Sequence, residues 1–249
     1  MIRFFISPED IRDDSVCLSP GDVAHMRSLR LRPSELFTVC DGKGVDYICR
    51  LGAESGKPIA LIVEKLPSCG EPSVRCVAYV ALAKGDRLDY AVQKSVELGA
   101  HEIALFPTAR CIAIPSNMHN KLTRLKKIAL ETAKQCGRGY VPVVSAKESF
   151  SSAIEQAACA QISLFFYEQE NELSLKAALE QESAKANDGS SAIKSISIVT
   201  GPEGGFEPFE ADMARDAGLL SVSLGRRILR CETAPIAALT AIMFFYDEL

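Results

Sequence analysis

The chain has 249 residues, 47% of them hydrophobic and 24% charged, with a formal net charge of -4 at pH 7. This is the composition of a folded globular protein, and it excludes a disordered chain or a generic polyanion binder acting through bulk charge. Nine cysteines, an odd number with none in C-x-x-C spacing, and an opening without a secretory signal point to a reducing, cytoplasmic setting, while three histidines without Cys or His neighbours at ligand spacing imply no metal.

In chain order, residues 2–6, 35–40, 45–51 and 58–66 read as strands, with Asp41-Gly42-Lys43-Gly44 as a hairpin-type turn. A short helix interrupts them, signalled by Ser19 as N-cap, Pro20 in the first turn and Asp22 near the positive end of the helix dipole. Residues 67–72 hold two prolines and a glycine without an apolar period and read as a linker, which divides the chain into domains 1–70 and 71–249. Strands then alternate with helices, the pattern of an α/β layer with a largely parallel sheet. The strands are expected at 74–82, 102–106, 141–144, 161–167, 194–200 and 219–224, and the helices at 86–98, 120–136, 149–159, 173–185, 207–217 and 232–247. Gly99 stops the first of these helices. Residues 168–186 are polar and acidic and read as a solvated helix without chemistry; Asn187-Asp188-Gly189-Ser190-Ser191 follows as a flexible turn. The last helix is apolar almost all round, so it is buried in the core or between subunits; its longest apolar run, 236–245, is too short to span a bilayer.

Ligands of open α/β sheets bind outside the carboxyl ends of the strands, where two loops stand out. The first, Gly201-Pro202-Glu203-Gly204-Gly205, lacks the Lys-Ser/Thr of a P-loop and the G-x-G-x-x-G of a dinucleotide fold, and Glu203 opposes an anion. It is therefore not a phosphate cradle. Its glycines allow close backbone approach to a nucleoside-like ligand, or it is a tight turn whose Glu203 and Glu207 complement a helix N-terminus. The second loop, 224–234, carries Arg226, Arg227 and Arg230, and arginine suits phosphates. Further basic clusters lie at 27–32 and 121–138, either solvated faces or parts of a localised polyanion site. A small cofactor beside a polyanionic substrate accounts for both loops.

These residues closely resemble the RsmE family of SPOUT methyltransferases, which methylate N3 of a uridine in 16S ribosomal RNA using S-adenosylmethionine. The resemblance runs nearly end to end, through Arg3-Phe4-Phe5, His25-Met26-Arg27-Ser28-Leu29-Arg30, the 41–44 turn, Lys84-Gly85-Asp86-Arg87 and residues 93–99. It continues through Gln135, Arg138 and Pro142, the 201–205 loop, and Leu224-Gly225, Ile228-Leu229-Arg230 and Glu232-Thr233. Cys231 stands where that family commonly has threonine, and the 168–192 stretch matches no motif. The resemblance implies an N-terminal PUA-like RNA-binding β-barrel, a C-terminal α/β domain with a deep trefoil knot, and a homodimer; the substrate is expected to be 16S RNA in the assembled 30S subunit, with free RNA as the alternative. It further implies cofactor contacts from Tyr167, Thr200, Gly201, Glu203, Gly204, Gly205, Leu224, Gly225, Ile228, Leu229 and Thr233.

Uracil N3 holds a proton with a pKa of about 10, comparable to a phenol, so the reaction needs a base or a cation beside the developing oxyanion. Arg138 and Arg230 are the candidate cations and Glu232 or Glu97 the candidate bases; otherwise Glu232 caps the last helix and Glu97 pairs with Lys94. RNA contacts are expected from Arg27, Arg30, Arg32, Arg87, Lys121, Arg124, Lys127, Gln135 and Arg138. Two rival classes are an RNA-binding protein that has lost catalysis and a dinucleotide-dependent enzyme; the second needs a glycine fingerprint where the chain has Val80-Ala81-Leu82-Ala83-Lys84-Gly85.

Overall fold

A computed structural model describes residues 2–54, 56–112, 117–187 and 193–249; residues 188–191 of the expected flexible turn lie outside them. The chain forms two compact units, Met1–Glu71 with Glu131–Val141, and Pro72–Leu130 with Pro142–Leu249.

The first unit is a five-stranded sheet of β1 (Arg3–Phe5), β2 (Ser15–Cys17), β3 (Leu36–Cys40), β4 (Val45–Glu54) and β5 (Lys57–Pro67), in the order β1-β3-β4-β5-β2. Only the β1–β3 pair is parallel. Asp41 fixes the β3–β4 turn: its Oδ1 accepts the Lys43 and Val45 N–H groups at 2.7 and 3.0 Å, and Gly42 and Gly44 take φ of 67° and 93°. Helix α1 (Pro20–Ser28) starts as the sequence dictates, with the Ser19 hydroxyl accepting the Asp22 N–H at 3.1 Å. Its Met26 joins Phe4, Phe37 and Val39 in the core, where Phe4 meets Phe37 edge-on at 5.8 Å. A polar network ties residues 138–140 into this unit. Arg3 donates to both Asp46 oxygens at 2.7 and 2.5 Å and to the Arg138 carbonyl at 3.2 Å. The Arg138 guanidinium grips Glu71 at 2.8 and 2.7 Å, and Glu71 also accepts the Gly139 and Tyr140 N–H groups.

The second unit alternates β6 (Arg75–Ala81), α2 (Arg87–Glu97), β7 (Glu102–Phe106), α3 (Met118–Cys136, of which residues 131–136 belong to the first unit), β8 (Val143–Ala146), α4 (Phe150–Ala157) and β9 (Ile162–Phe166). Then follow α5 (Leu175–Asn187), β10 (Ser195–Thr200), α6 (Pro208–Asp216), β11 (Leu220–Val222) and α7 (Thr233–Phe245). All six strands are parallel, in the order β11-β9-β10-β6-β7-β8. β6, β9 and β10 are buried along almost their whole length, as expected for strands covered on both faces. Phe106, Phe150, Phe165 and Phe206 fill one side, with Phe165 and Phe206 centred 4.4 Å apart.

This order positions the site. β6 and β10 are neighbours, yet the chain leaves β6 towards β7 and leaves β10 towards β11, so their carboxyl ends form a switch point of the kind where α/β sheets bind ligands. One expectation changes here. The strand at 219–224 is only three residues long, because the chain leaves the sheet before Ser223 to build the second loop. Within the single chain, Pro235, Ala238, Leu239, Ile242 and Met243 of α7 are buried, whereas Phe244 is 75% exposed.

Candidate functional site

The glycine loop after β10 is held from three sides. On the β6 side, Glu203 accepts the Lys84 N–H at 2.9 Å and pairs with the Arg87 guanidinium. Burial opposes ionisation of this carboxyl, but the Lys84 N–H and Arg87 outweigh it and keep its pKa below the usual carboxylate value. On the β7 side, Arg110 grips Glu207 at 2.8 and 3.0 Å and donates to the Gly204 carbonyl at 3.0 Å, while Glu210 accepts the Ala109 N–H at 2.9 Å. On the β9 side, Glu168 accepts the Phe206 N–H at 3.2 Å. Glu207 is also the N-cap of α6 in a reciprocal capping box with Glu210, so the helix-terminus reading holds for Glu207 but not for Glu203.

The glycines are required by this crowding. A Cβ on Gly204 would lie 3.1 Å from the Arg110 Cβ, and one on Gly205, at φ +68°, would overlap the Glu168 carboxylate.

The loop forms one wall of a cavity of about 650 Å³. Residues 222–232, Tyr167, Glu168, Glu170, Asn171 and Arg87 also line it. Arg226, Arg227 and Arg230 are exposed and, among the described residues, make no ion pair. Burial and then the Glu168 charge push the Tyr167 phenol up, so it stays protonated at neutral pH. The Cys231 thiol is pushed up to about 12, by burial and then by its hydrogen bond to Glu232, so it is no thiolate nucleophile. A second, shallower depression borders the cavity; Arg87 and Glu232, 3.7 Å apart, line both.

Residues 70–243 match the family described as an RNA methyltransferase domain. The ribosomal RNA small subunit methyltransferase E of Mesomycoplasma hyopneumoniae is 30% identical, with 96% of this chain and 98% of that protein covered. Its counterpart in Synechocystis is 32% identical over 96% of this chain and 76% of that protein. The chain belongs to the ribosomal RNA small subunit methyltransferase E family. The Neisseria gonorrhoeae methyltransferase E, whose crystal structure is described as bound to S-adenosyl methionine, is 31% identical and superposes with a TM-score of 0.83 over 98% of both chains.

Within this methyltransferase E chain the cavity gathers Tyr167, Gly201, Glu203, Gly204, Gly205, Leu224, Gly225, Ile228 and Leu229 from the expected cofactor set, together with Arg230 and Glu232. Thr200 is fully buried and donates to the Tyr79 carbonyl at 3.4 Å, so it joins β10 to β6 instead of lining the cavity. Thr233 lines the second depression. Arg138, expected at the catalytic centre and on RNA, is only 3% exposed and lines neither cavity; its guanidinium is committed to Glu71. Glu97 likewise pairs with Lys94 at 2.8 Å on α2 and lines neither.

Among the expected RNA contacts, Arg87 is taken up by Glu203 and Glu232, and Lys121 and Arg124 share Asp89. Arg27, Arg30, Arg32, Lys127 and Gln135 are exposed, as is Lys126. The 168–186 stretch, expected to be a solvated helix without chemistry, contributes Glu168, Glu170 and Asn171 to the cavity. Arg110 was not legible as a site residue, since its partners lie 94 and 97 positions away.

Proposed function

We propose that this rRNA methyltransferase transfers the methyl group of S-adenosylmethionine to N3 of a uridine in 16S ribosomal RNA, acting on the assembled 30S subunit. The observation that carries this reading is the glycine-loop cavity at the β6–β10 switch point, faced by three arginines that make no ion pair among the described residues. The cavity suits that cofactor: main-chain groups of 201–205 and 224–229 offer partners for a nucleoside, and a lining that holds both carboxylates and guanidinia suits a ligand carrying both charges. When bound, S-adenosylmethionine supplies an electrophilic methyl carbon on a sulfonium.

The chain's own residues do the rest. The clamped glycine loop presents a fixed surface, which lowers the ordering cost of binding and aligns the reactants. Glu232, which lines both cavities, accepts the N3 proton in this reading, and Arg230, which lines the first, stabilises the negative charge that develops on the uracil oxygens. Arg226 and Arg227 flank them as phosphate partners. Arg138 acts structurally, through Glu71. In this reading the first unit is the PUA-like RNA-binding barrel, with Arg27, Arg30 and Arg32 towards RNA, and the second carries the trefoil knot. The exposed Phe244 of α7 belongs to a homodimer interface, and the enzyme works in the cytoplasm.

The test is to incubate the protein with labelled S-adenosylmethionine and unmodified 30S subunits or naked 16S RNA, then map methylated nucleosides by mass spectrometry. One N3-methyluridine at a single position is expected, with more on 30S subunits. Label on another base, or on none, would contradict the proposal.

A further inference from the structure

The cofactor cavity alone does not say where the target base rests. We infer that the neighbouring depression, lined by Lys84, Asp86, Arg87, Tyr90, Glu232 and Thr233, receives the flipped target uridine, with Tyr90 as its stacking platform. This inference rests on the proposed uridine methylation and adds to it a site and a residue.

Three features converge. First, the depression is open to solvent, as a base on a polymer requires, and meets the cofactor cavity at the Arg87–Glu232 pair, so a ligand there lies beside the proposed proton acceptor. Second, Tyr90 is an aromatic side chain on the solvent-facing side of its helix: 49% of it is open, while Leu88, Ala91, Val92, Ser95 and Val96 on the other side are buried. The Lys94 ammonium, 5.8 Å from the ring centroid, marks one ring face, and the ring also lines the depression. Exposed aromatic rings beside cations are how proteins hold unstacked bases. Third, the polar rim fits a nucleotide. Lys84 is exposed and makes no ion pair among the described residues, and Thr233 starts α7, where the helix dipole is positive. The rim also carries two carboxylates: Glu232, paired with Arg87, and Asp86, which lies 3.6 Å from an Arg124 guanidinium shared with Asp89.

The experiment compares the wild type with Tyr90→Ala and Tyr90→Phe in three readouts: methylation kinetics on 30S subunits, calorimetric affinity for S-adenosylmethionine, and sedimentation velocity. Tyr90→Ala is expected to lower kcat/KM for RNA by about tenfold or more, through the lost stacking surface, and to leave cofactor affinity and sedimentation within error. Tyr90→Phe, which keeps the ring, is expected to retain most activity. An unimpaired Tyr90→Ala enzyme, a Tyr90→Phe enzyme as weak as the alanine variant, or an altered sedimentation coefficient would each overturn the assignment, the last by making Tyr90 a contact between copies. Should the wild type methylate no uridine, the proposed function fails on its own. The subsite is then decided by photocrosslinking 5-iodouridine-substituted 16S RNA to the wild type: a crosslinked peptide containing Tyr90 supports it, and crosslinks only elsewhere overturn it.

Discussion

At Gly205 one hydrogen atom in place of a side chain sets the geometry of the cavity wall. The residue takes φ +68°, and the space a Cβ would need is occupied by the Glu168 carboxylate that accepts the Phe206 N–H. Left-handed backbone costs a non-glycine residue about 1–2 kcal/mol, and displacing Glu168 releases the turn as well. Gly205→Ala is therefore expected to weaken S-adenosylmethionine binding by about tenfold, or ~1.4 kcal/mol, measured by calorimetry. Because the two residues compete for one space, Gly205→Ala with Glu168→Ala should be less damaging than the sum of the single changes; strict additivity would contradict the steric account. The glycines were legible as marks of either a close backbone approach or a tight turn, because both need residues without side chains. The roles of Glu203 and Glu168 were not, since their contacts are with Lys84, Arg87 and Phe206, and nothing local in the sequence encodes a partner 38 to 119 residues away.

Among the elements, the loops after β6, β7, β9 and β10 act as one assembly because the parallel sheet brings all their origins to one edge. Arg110 shows this most directly, bridging Glu207 at the start of α6 and the carbonyl of Gly204. The ion pair is about one-third exposed on each side, and such pairs contribute only about 0–1 kcal/mol to stability. Their use here is to hold the loop before the ligand arrives. Arg110→Ala should therefore change the melting temperature little yet raise the dissociation constant for S-adenosylmethionine by about tenfold, since the ordering cost passes to binding. Arg110→Lys, which loses the forked geometry, should lie between. A large fall in stability with unchanged affinity would make Arg110 merely structural. Most of these elements were legible, because Ser19, Gly99 and the apolar periods mark their boundaries through local physics. The short β2 escaped notice: three residues carry no periodicity, and β2 exists only because β5 offers it an edge. Strand order was equally hidden, being a property of non-local pairing.

For the whole molecule, the arrangement of carboxylates makes acid the condition that undoes it. Asp46, Glu170, Glu203 and Glu207 all have pKa values lowered from their ordinary ones. For Asp46, burial pushes the other way, but Arg3, Ser68 and the charge of Arg3 outweigh it. A carboxyl depressed in the folded state adds stability that is complete above its unfolded pKa and is lost as pH falls through the folded value. Stability is therefore expected to be level from neutral pH down to about 5, then to fall as the pH drops past the ordinary carboxylate values of about 4. Asp46→Asn isolates one contributor. At pH 7 it should cost about 2 kcal/mol, the scale of a charged hydrogen bond, because Arg3 keeps its place but loses its counter-charge. As Asp46 itself becomes protonated in the wild type, that difference should shrink. Chemical denaturation of both proteins between pH 7 and pH 3 measures it, and a gap constant across the range would show that Asp46 contributes through shape alone and not through its charge.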